Sequence, residues 1–158
     1  MSKYDWLLFL HITFAFLFAA GAVIAGVLQF STMRRNRPSE VALLFRLTRV
    51  AEILVGVGSV GALLFGVWLT HYLGYGFGDG WIVGALVLWV VSGALAGMGG
   101  RTYRKARELA EELARSGDEP SDRLRALVRN PVALVLSYLG TAALVAILVL
   151  MVWKPGNG

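Results

Sequence analysis

The sequence predicts an all-α integral membrane protein that folds as a four-helix transmembrane bundle. Four long apolar runs occupy residues 6–30, 50–73, 81–100 and 132–153. An α-helix rises about 1.5 Å per residue, so roughly 20 apolar residues cross a hydrocarbon core about 30 Å thick. Composition agrees, because 57% of the residues are hydrophobic and only 16% are charged. We therefore expect a single membrane domain over residues 1–158, with the lipid bilayer as its surroundings.

The distribution of charge and of aromatic residues predicts that both termini lie outside. Thirteen of the fifteen Lys and Arg residues lie in or beside the two loops that follow the first and the third span. Only Lys3 and Lys154 lie at the opposite ends of the spans. Basic loops stay in the cytoplasm, and amphipathic rings prefer the membrane interface. The aromatic residues on the predicted outer side are Tyr4, Trp6, Trp68, Tyr72, Tyr75, Trp81 and Trp153. The expected location is the bacterial cytoplasmic membrane, with several passes.

Each boundary between spans has a local cause. The first span ends in the basic run 34–37, and Pro38 follows it. Ser39 can cap a second helix that carries Glu40 in its first turn and continues into the membrane. The glycine-rich connection 74–80 is short. The second and third spans are therefore expected to be antiparallel neighbours.

The third loop, residues 101–130, is predicted to be helical and cytoplasmic. Residues 101–115 carry opposite charges at helical spacing, such as Arg104 and Glu108, which indicates a solvated extension of the third span or a partner-docking helix. Residues 121–130 predict a short amphipathic helix suited to the membrane surface. Pro131 then begins the fourth span, in the first-turn position that proline favours.

Composition and context exclude several classes of function. Residues 56–61 match the dinucleotide motif G-x-G-x-x-G, but that motif requires a preceding strand, and these residues lie within a predicted membrane helix. The basic charge lacks the interleaved aromatic residues of a nucleic-acid surface. Neither nucleotide nor nucleic acid is expected. Since cysteine is absent, disulfides, iron–sulfur clusters and covalently attached haem are excluded, but non-covalent haem is not.

Small residues at four-residue spacing predict tight packing between the membrane helices. Such stripes allow helix backbones to approach closely in lipid. The stripes are Gly58, Ala62 and Gly66, then Ala22 and Gly26, then Gly93 and Gly97.

Two histidines within the spans are the leading candidate ligands. His11 and His71 are both expected in the outer leaflet, because their helices run in opposite directions. Imidazoles at similar depth can ligate haem iron from two sides or bind copper, and Met151 could add a thioether. The structural alternative is that His11 hydrogen-bonds Ser59, Thr70 or a main-chain carbonyl. His71 would then lie at the membrane interface without a functional role.

The first span also carries a family resemblance. Residues 7–21, LLFLHITFAFLFAAG, resemble the opening helix of the copper-resistance-D and HemJ group, in which a Leu-His pair is followed by a pair of small residues. The whole chain resembles an uncharacterised bacterial family of predicted integral membrane proteins. The resemblance implies a haem or copper ligand at His11 and does not extend to His71. HemJ is a protoporphyrinogen oxidase, and residues 18–21, FAAG, depart from the Trp-Met/Val-Gly-Gly ending of the group.

Glu52 is the other ionisable candidate within the spans. An interfacial ion pair with Arg49, one turn away, explains it most simply, whereas a proton-coupled transport site is the functional alternative. The leading prediction is an outer-leaflet haem b or copper protein with His11 and His71 as ligands, and its expected role is electron transfer. The main alternative is a non-catalytic subunit or assembly protein that binds membrane-protein partners or further copies of itself.

Overall fold

The computed structural model describes residues 2–154 and confirms the all-α prediction. Within these residues there are five helices and no strand. Their bounds are α1, Lys3–Met33; α2, Pro38–Tyr72; α3, Gly80–Arg115; α4, Asp122–Val128; and α5, Pro131–Trp153. Four helical segments are long and apolar enough to cross a membrane. The chain is therefore a multi-pass membrane protein.

The helix starts follow from local capping chemistry. Ser2 and Asp5 form a capping box, in which the Ser2 N–H donates to the Asp5 carboxylate at 2.7 Å and the Asp5 N–H donates to Ser2 Oγ at 3.2 Å. At α2 the N-cap position is Arg37, without a side-chain cap, and Pro38 occupies the first turn, so the prediction that Ser39 caps this helix is wrong. At α5 the Asn130 side chain accepts from the Ala133 N–H at 3.0 Å, directly before Pro131. These caps satisfy N–H groups that have no partner within the helix.

The bundle consists of two antiparallel pairs. Helix α1 packs mainly on α2, helix α3 packs mainly on α5, and α2 joins α3 across the middle. We call the end with the α1–α2 loop, α4 and the C-terminal part of α3 the basic end. The other end, with the predicted aromatic belt, is the aromatic end.

Close packing by glycine is confined largely to the contact between α1 and α2. A Cβ at Gly58 would collide with the Phe18 backbone, and one at Gly21 would lie 2.9 Å from the Val55 nitrogen. In contrast, Gly26, Gly93 and Gly97 have nothing within 4 Å of an added Cβ. The prediction that all three small-residue stripes pack tightly is therefore wrong for these positions, because the helix rotations turn them towards open space.

At the basic end, α4 packs against α2 and α3. Leu124 is only 3% exposed and Val128 only 4%, in a core shared with Phe45, Ala106 and Ala110. The prediction of a membrane-surface helix is wrong here: the apolar face of α4 covers protein instead of lipid. The same contacts bury one side of the extension of α3, so that extension is solvated only on its remaining faces.

Two polar links hold this end together. The Arg129 Nη2 donates to the Met33 carbonyl at the end of α1, at 2.9 Å. The Ser39 N–H and hydroxyl donate to the two carboxylate oxygens of Asp118, each at 2.7 Å. Both links satisfy helix-terminal main-chain groups and tie loops that are distant in sequence.

Candidate functional site

His11 lies between α1 and α2, in the half of the bundle near the aromatic end. Its Nδ1 is 2.9 Å from the Ala62 carbonyl oxygen. That oxygen can only accept, so Nδ1 carries the proton and Nε2 of the neutral ring keeps its lone pair. Gly66 provides the space: an added Cβ there would lie 2.9 Å from His11 Cε1. A main-chain carbonyl is one of the alternative hydrogen-bond partners that the sequence left open for His11.

The structure does not bring His71 to His11. His71 is exposed and follows Gly66 by five residues, which rotates it about 140° around α2 from the side that His11 contacts. It points outwards along with the exposed residues Val60, Leu64 and Val67. A site shared by both imidazoles within one chain is therefore not formed in this arrangement, and the ligand role of each stays a prediction.

Met151 is also separate from His11. It is half-buried on α5, and α5 packs mainly on α3. Within residues 2–154, no three His, Asp or Glu side chains are grouped so that they could hold a metal ion. The described residues therefore do not provide His11 with a ready-made set of three such ligands.

Glu52 and Arg49 are both exposed on α2. Among the described residues, the ion pairs within 4.0 Å are Arg35–Glu40 and Arg125–Asp122. The structure therefore does not form the expected pair between Glu52 and Arg49. Counting 20 residues from Tyr72 at about 1.5 Å each places Glu52 about 30 Å from the aromatic end, close to the other boundary of the hydrocarbon core.

Two polar ties across the bundle were missed by reasoning from the sequence. Gln29 on α1 donates to the Tyr103 hydroxyl on α3 and accepts from Ser137 Oγ on α5 at 3.1 Å. Trp89 Nε1 on α3 donates to Ser59 Oγ on α2 at 2.8 Å. The available signal was an uncharged polar residue inside an apolar run, because such residues often hydrogen-bond between membrane helices.

These observations decide how well the residues fit a haem or copper ion. His11 fits as a single ligand, since its Nδ1–H is held by a carbonyl and its Nε2 is left as the donor atom, the usual arrangement of a ligating histidine. The pair of His11 and His71 does not fit a bis-histidine haem within one chain. The residues thus support one ligand, not a complete set.

Comparison with known proteins identifies a family and gives no activity. No curated protein and no solved structure matches the chain. The likeness of the first helix to the copper-resistance-D and HemJ group stays a prediction. A family model described as a predicted integral membrane protein (DUF2269) matches residues 5–155, nearly the whole chain and all four of its membrane-spanning segments. The chain therefore belongs to this family of predicted integral membrane proteins, DUF2269.

Proposed function

We propose that this membrane protein binds haem b or copper through His11 and serves in electron transfer. The observation that carries the proposal is the hydrogen bond between Nδ1 and the Ala62 carbonyl, 2.9 Å long. This hydrogen bond orients the ring, so that the Nε2 lone pair points away from the Ala62 carbonyl, as a ligating imidazole requires. Polar side chains at membrane depth are costly and are usually functional.

The depth of His11 is consistent with a redox group near one membrane face. His11 follows Trp6 by five residues, so it lies roughly 7.5 Å further along α1 than the aromatic belt. In the predicted orientation this is the outer leaflet of the bacterial cytoplasmic membrane. A bound haem or copper ion would supply one-electron chemistry there, and His11 would hold it.

The proposal gives the exposed His71 the role of a control. It faces outwards at the aromatic end and is assigned no ligand role in the same site. Removing its imidazole should therefore leave the His11 site intact. This makes His71→Ala the matched control for His11→Ala, since the same side chain is truncated on the neighbouring membrane helix.

The test is spectroscopic. The protein is purified in detergent from cells supplied with a haem precursor and with copper, and its absorption is recorded before and after dithionite, alongside metal analysis. We expect a Soret band, or stoichiometric copper, in the wild-type protein and in His71→Ala, and its loss in His11→Ala. Equal loading of the His11→Ala variant, or a wild-type protein without absorption and metal, would overturn the proposal.

A second function is favoured by a different observation. A groove of about 580 Å³ lies at the basic end between the first turns of α2 and the last turns of α3. Ala42, Leu43 and Ala114 give it an apolar lining, and Arg46 and Arg115 flank it. Such a groove suits a non-catalytic subunit or assembly protein that docks a membrane-protein partner. A partner recovered by cross-linking with the wild-type chain should be lost from Leu43→Asp. It should be retained by the control Ala126→Asp, which adds the same charge at an exposed position of α4 that does not line the groove.

A further inference from the structure

A cleft at the basic end is lined by three arginines that come from two separate parts of the chain. Arg35 lies in the loop between α1 and α2, Arg125 lies on α4, and Arg129 follows the last turn of α4. Asn36 and Ser121 add uncharged polar groups, and among the described residues no acidic side chain lines the cleft. We call it the arginine cleft. It shares no residue with the groove between α2 and α3, and it does not depend on the proposed haem or copper site.

The fold gathers these like charges although their mutual repulsion is unfavourable. Arg125 and Arg129 are four residues apart and so lie one turn apart on the same side of α4, where like charges are destabilising. Arg35 Nη1 lies 3.8 Å from Glu40 Oε2, and Arg125 Nη1 lies 3.2 Å from Asp122 Oδ1. Both ion pairs are exposed and therefore weak, and within residues 2–154 no carboxylate lies within 4.0 Å of Arg129. An anion in the cleft would offset this excess of positive charge.

The guanidinium group of Arg129 is already held in place. Its Nε and Nη2 donate to the Met33 carbonyl at 3.3 and 2.9 Å. Arginine has five N–H groups, so three of them have no protein partner within the described residues. Their planar arrangement suits the oxygens of a phosphate. Leu124 and Val128 are buried and also line the cleft, and such an apolar wall strengthens an ionic contact by excluding water.

The arginine cleft lies at the depth of the lipid phosphates. Met33, which also lines it, is three residues beyond Phe30, the last residue of the first apolar run. That separation is roughly 4.5 Å along α1, and the head-group region extends about 5–8 Å beyond the hydrocarbon core on each side. The space within the cleft is about 10 Å³, close to that of one water-sized sphere. The cleft therefore admits a single phosphate oxygen, and the rest of the head group would stay outside.

We propose that the arginine cleft binds a phosphate-bearing anion, with one phosphate oxygen in the cleft and the three guanidinium groups around it. Its depth assigns the phosphate to an anionic lipid in the leaflet at the basic end, and not to a phosphate ion in solution. The net negative charge of the lipid is the basis of selection, because a zwitterionic lipid brings its own cation and does not offset the charge of the arginines. A bound lipid would cover the junction of α1 and α4, which the Arg129 hydrogen bond already ties.

The probes are phosphatidylglycerol and phosphatidylcholine with identical acyl chains. The full-length protein is immobilised on resin, equilibrated with detergent micelles that contain equal amounts of the two lipids, and washed with lipid-free detergent. Mass spectrometry of the eluate then gives the ratio of the two retained lipids. We expect phosphatidylglycerol to be retained in preference by at least about fivefold, the contribution of one basic residue beside an anionic lipid.

Three variants separate the cleft from the general positive charge of this end. Arg125→Gln should lower the preference by about fivefold. Arg123→Gln is the matched control, because it removes the same charge from α4 at an exposed position that does not line the cleft, and it should keep the wild-type ratio. Arg35→Gln removes a lining arginine outside α4 and should act like Arg125→Gln, which separates loss of the ligand from damage to α4.

A wash with sodium phosphate, compared with sodium chloride of equal ionic strength, distinguishes the two sources of phosphate. Equal retention of phosphatidylglycerol in both washes supports the lipid. Its selective loss in phosphate would overturn the assignment to lipid and make free phosphate the anion. Equal retention of the two lipids by the wild-type protein, or equal effects of Arg125→Gln and Arg123→Gln, would overturn the proposal as a whole.

Discussion

The contact between α1 and α2 depends on the absence of a side chain at Gly58. A Cβ at this position would lie 2.8 Å from Phe18 Cα and 2.9 Å from the Phe14 carbonyl oxygen. Non-bonded carbon atoms prefer separations of about 3.5–4.0 Å, so Gly58→Ala requires the helices to separate by roughly 1 Å. The obstructing atoms belong to the backbone, so no side-chain rotation relieves the contact. Overpacking of this kind typically costs about 1–3 kcal/mol.

Gly26→Ala is the matched control. It introduces the same methyl group within a membrane helix, but nothing lies within 4 Å of the added carbon. Helix propensity favours alanine over glycine by up to about 1 kcal/mol at both sites, so this contribution cancels in the comparison. We expect Gly58→Ala to unfold at a lower mole fraction of dodecyl sulfate in mixed micelles, followed by far-UV circular dichroism, with a free-energy difference of about 2 kcal/mol. Unfolding free energies that agree within about 0.5 kcal/mol would refute the packing argument.

Three further predictions concern the loops and the orientation. Leu124→Ala should destabilise the basic end by about 2–5 kcal/mol, because the side chain is buried against protein; an unchanged unfolding free energy would instead fit a lipid-facing α4. Hydrogen bonds from the Ser39 hydroxyl and N–H hold the pKa of Asp118 below its usual 3.8. Since the folded pKa is the lower one, this stabilisation is present above about pH 4 and is lost as the pH falls through the folded pKa. Asp118→Asn should remove that part of the acid dependence of stability, and an unchanged pH profile would contradict it. Finally, the chain has no cysteine, so a single introduced cysteine is the one site in this protein that a maleimide can label. On intact cells, an impermeant maleimide should label Ser2→Cys but not Ser116→Cys. The reverse pattern would contradict the predicted orientation.

The sequence was sufficient for the number and the approximate extent of the membrane helices. The predicted span 81–100 with a helical continuation to 115 corresponds to α3, Gly80–Arg115. The reason is that span length and hydropathy depend only on local composition, and lipid leaves helices as the main solution. The Pro131 start follows from backbone chemistry that is equally local, whereas the predicted Ser39 cap was wrong, because α2 already begins at Pro38.

Helix rotation was not predictable in the same way. The spans are apolar on all sides, so no hydrophobic face identifies the side that meets a neighbour. This is why His71 could be paired with His11 in the sequence but faces away from it in the structure, and why Gly93 and Gly97 were expected in a contact that they do not make. The partner of the apolar face of α4 was equally unpredictable, because an apolar stripe can cover lipid or protein. Its partner, the core around Phe45 and Ala106, is distant in sequence.

The central functional claim is that the His11 imidazole is itself a ligand, and chemical rescue tests it most directly. His11→Gly removes the ring at a position where it is held by the Ala62 carbonyl, and free imidazole can then be supplied in solution. We predict that purified His11→Gly has lost the Soret band or the bound copper, and that imidazole restores it while leaving the His71→Ala spectrum unchanged. A His11→Gly protein that keeps its full spectrum, or a wild-type protein with neither haem nor copper, would contradict the claim.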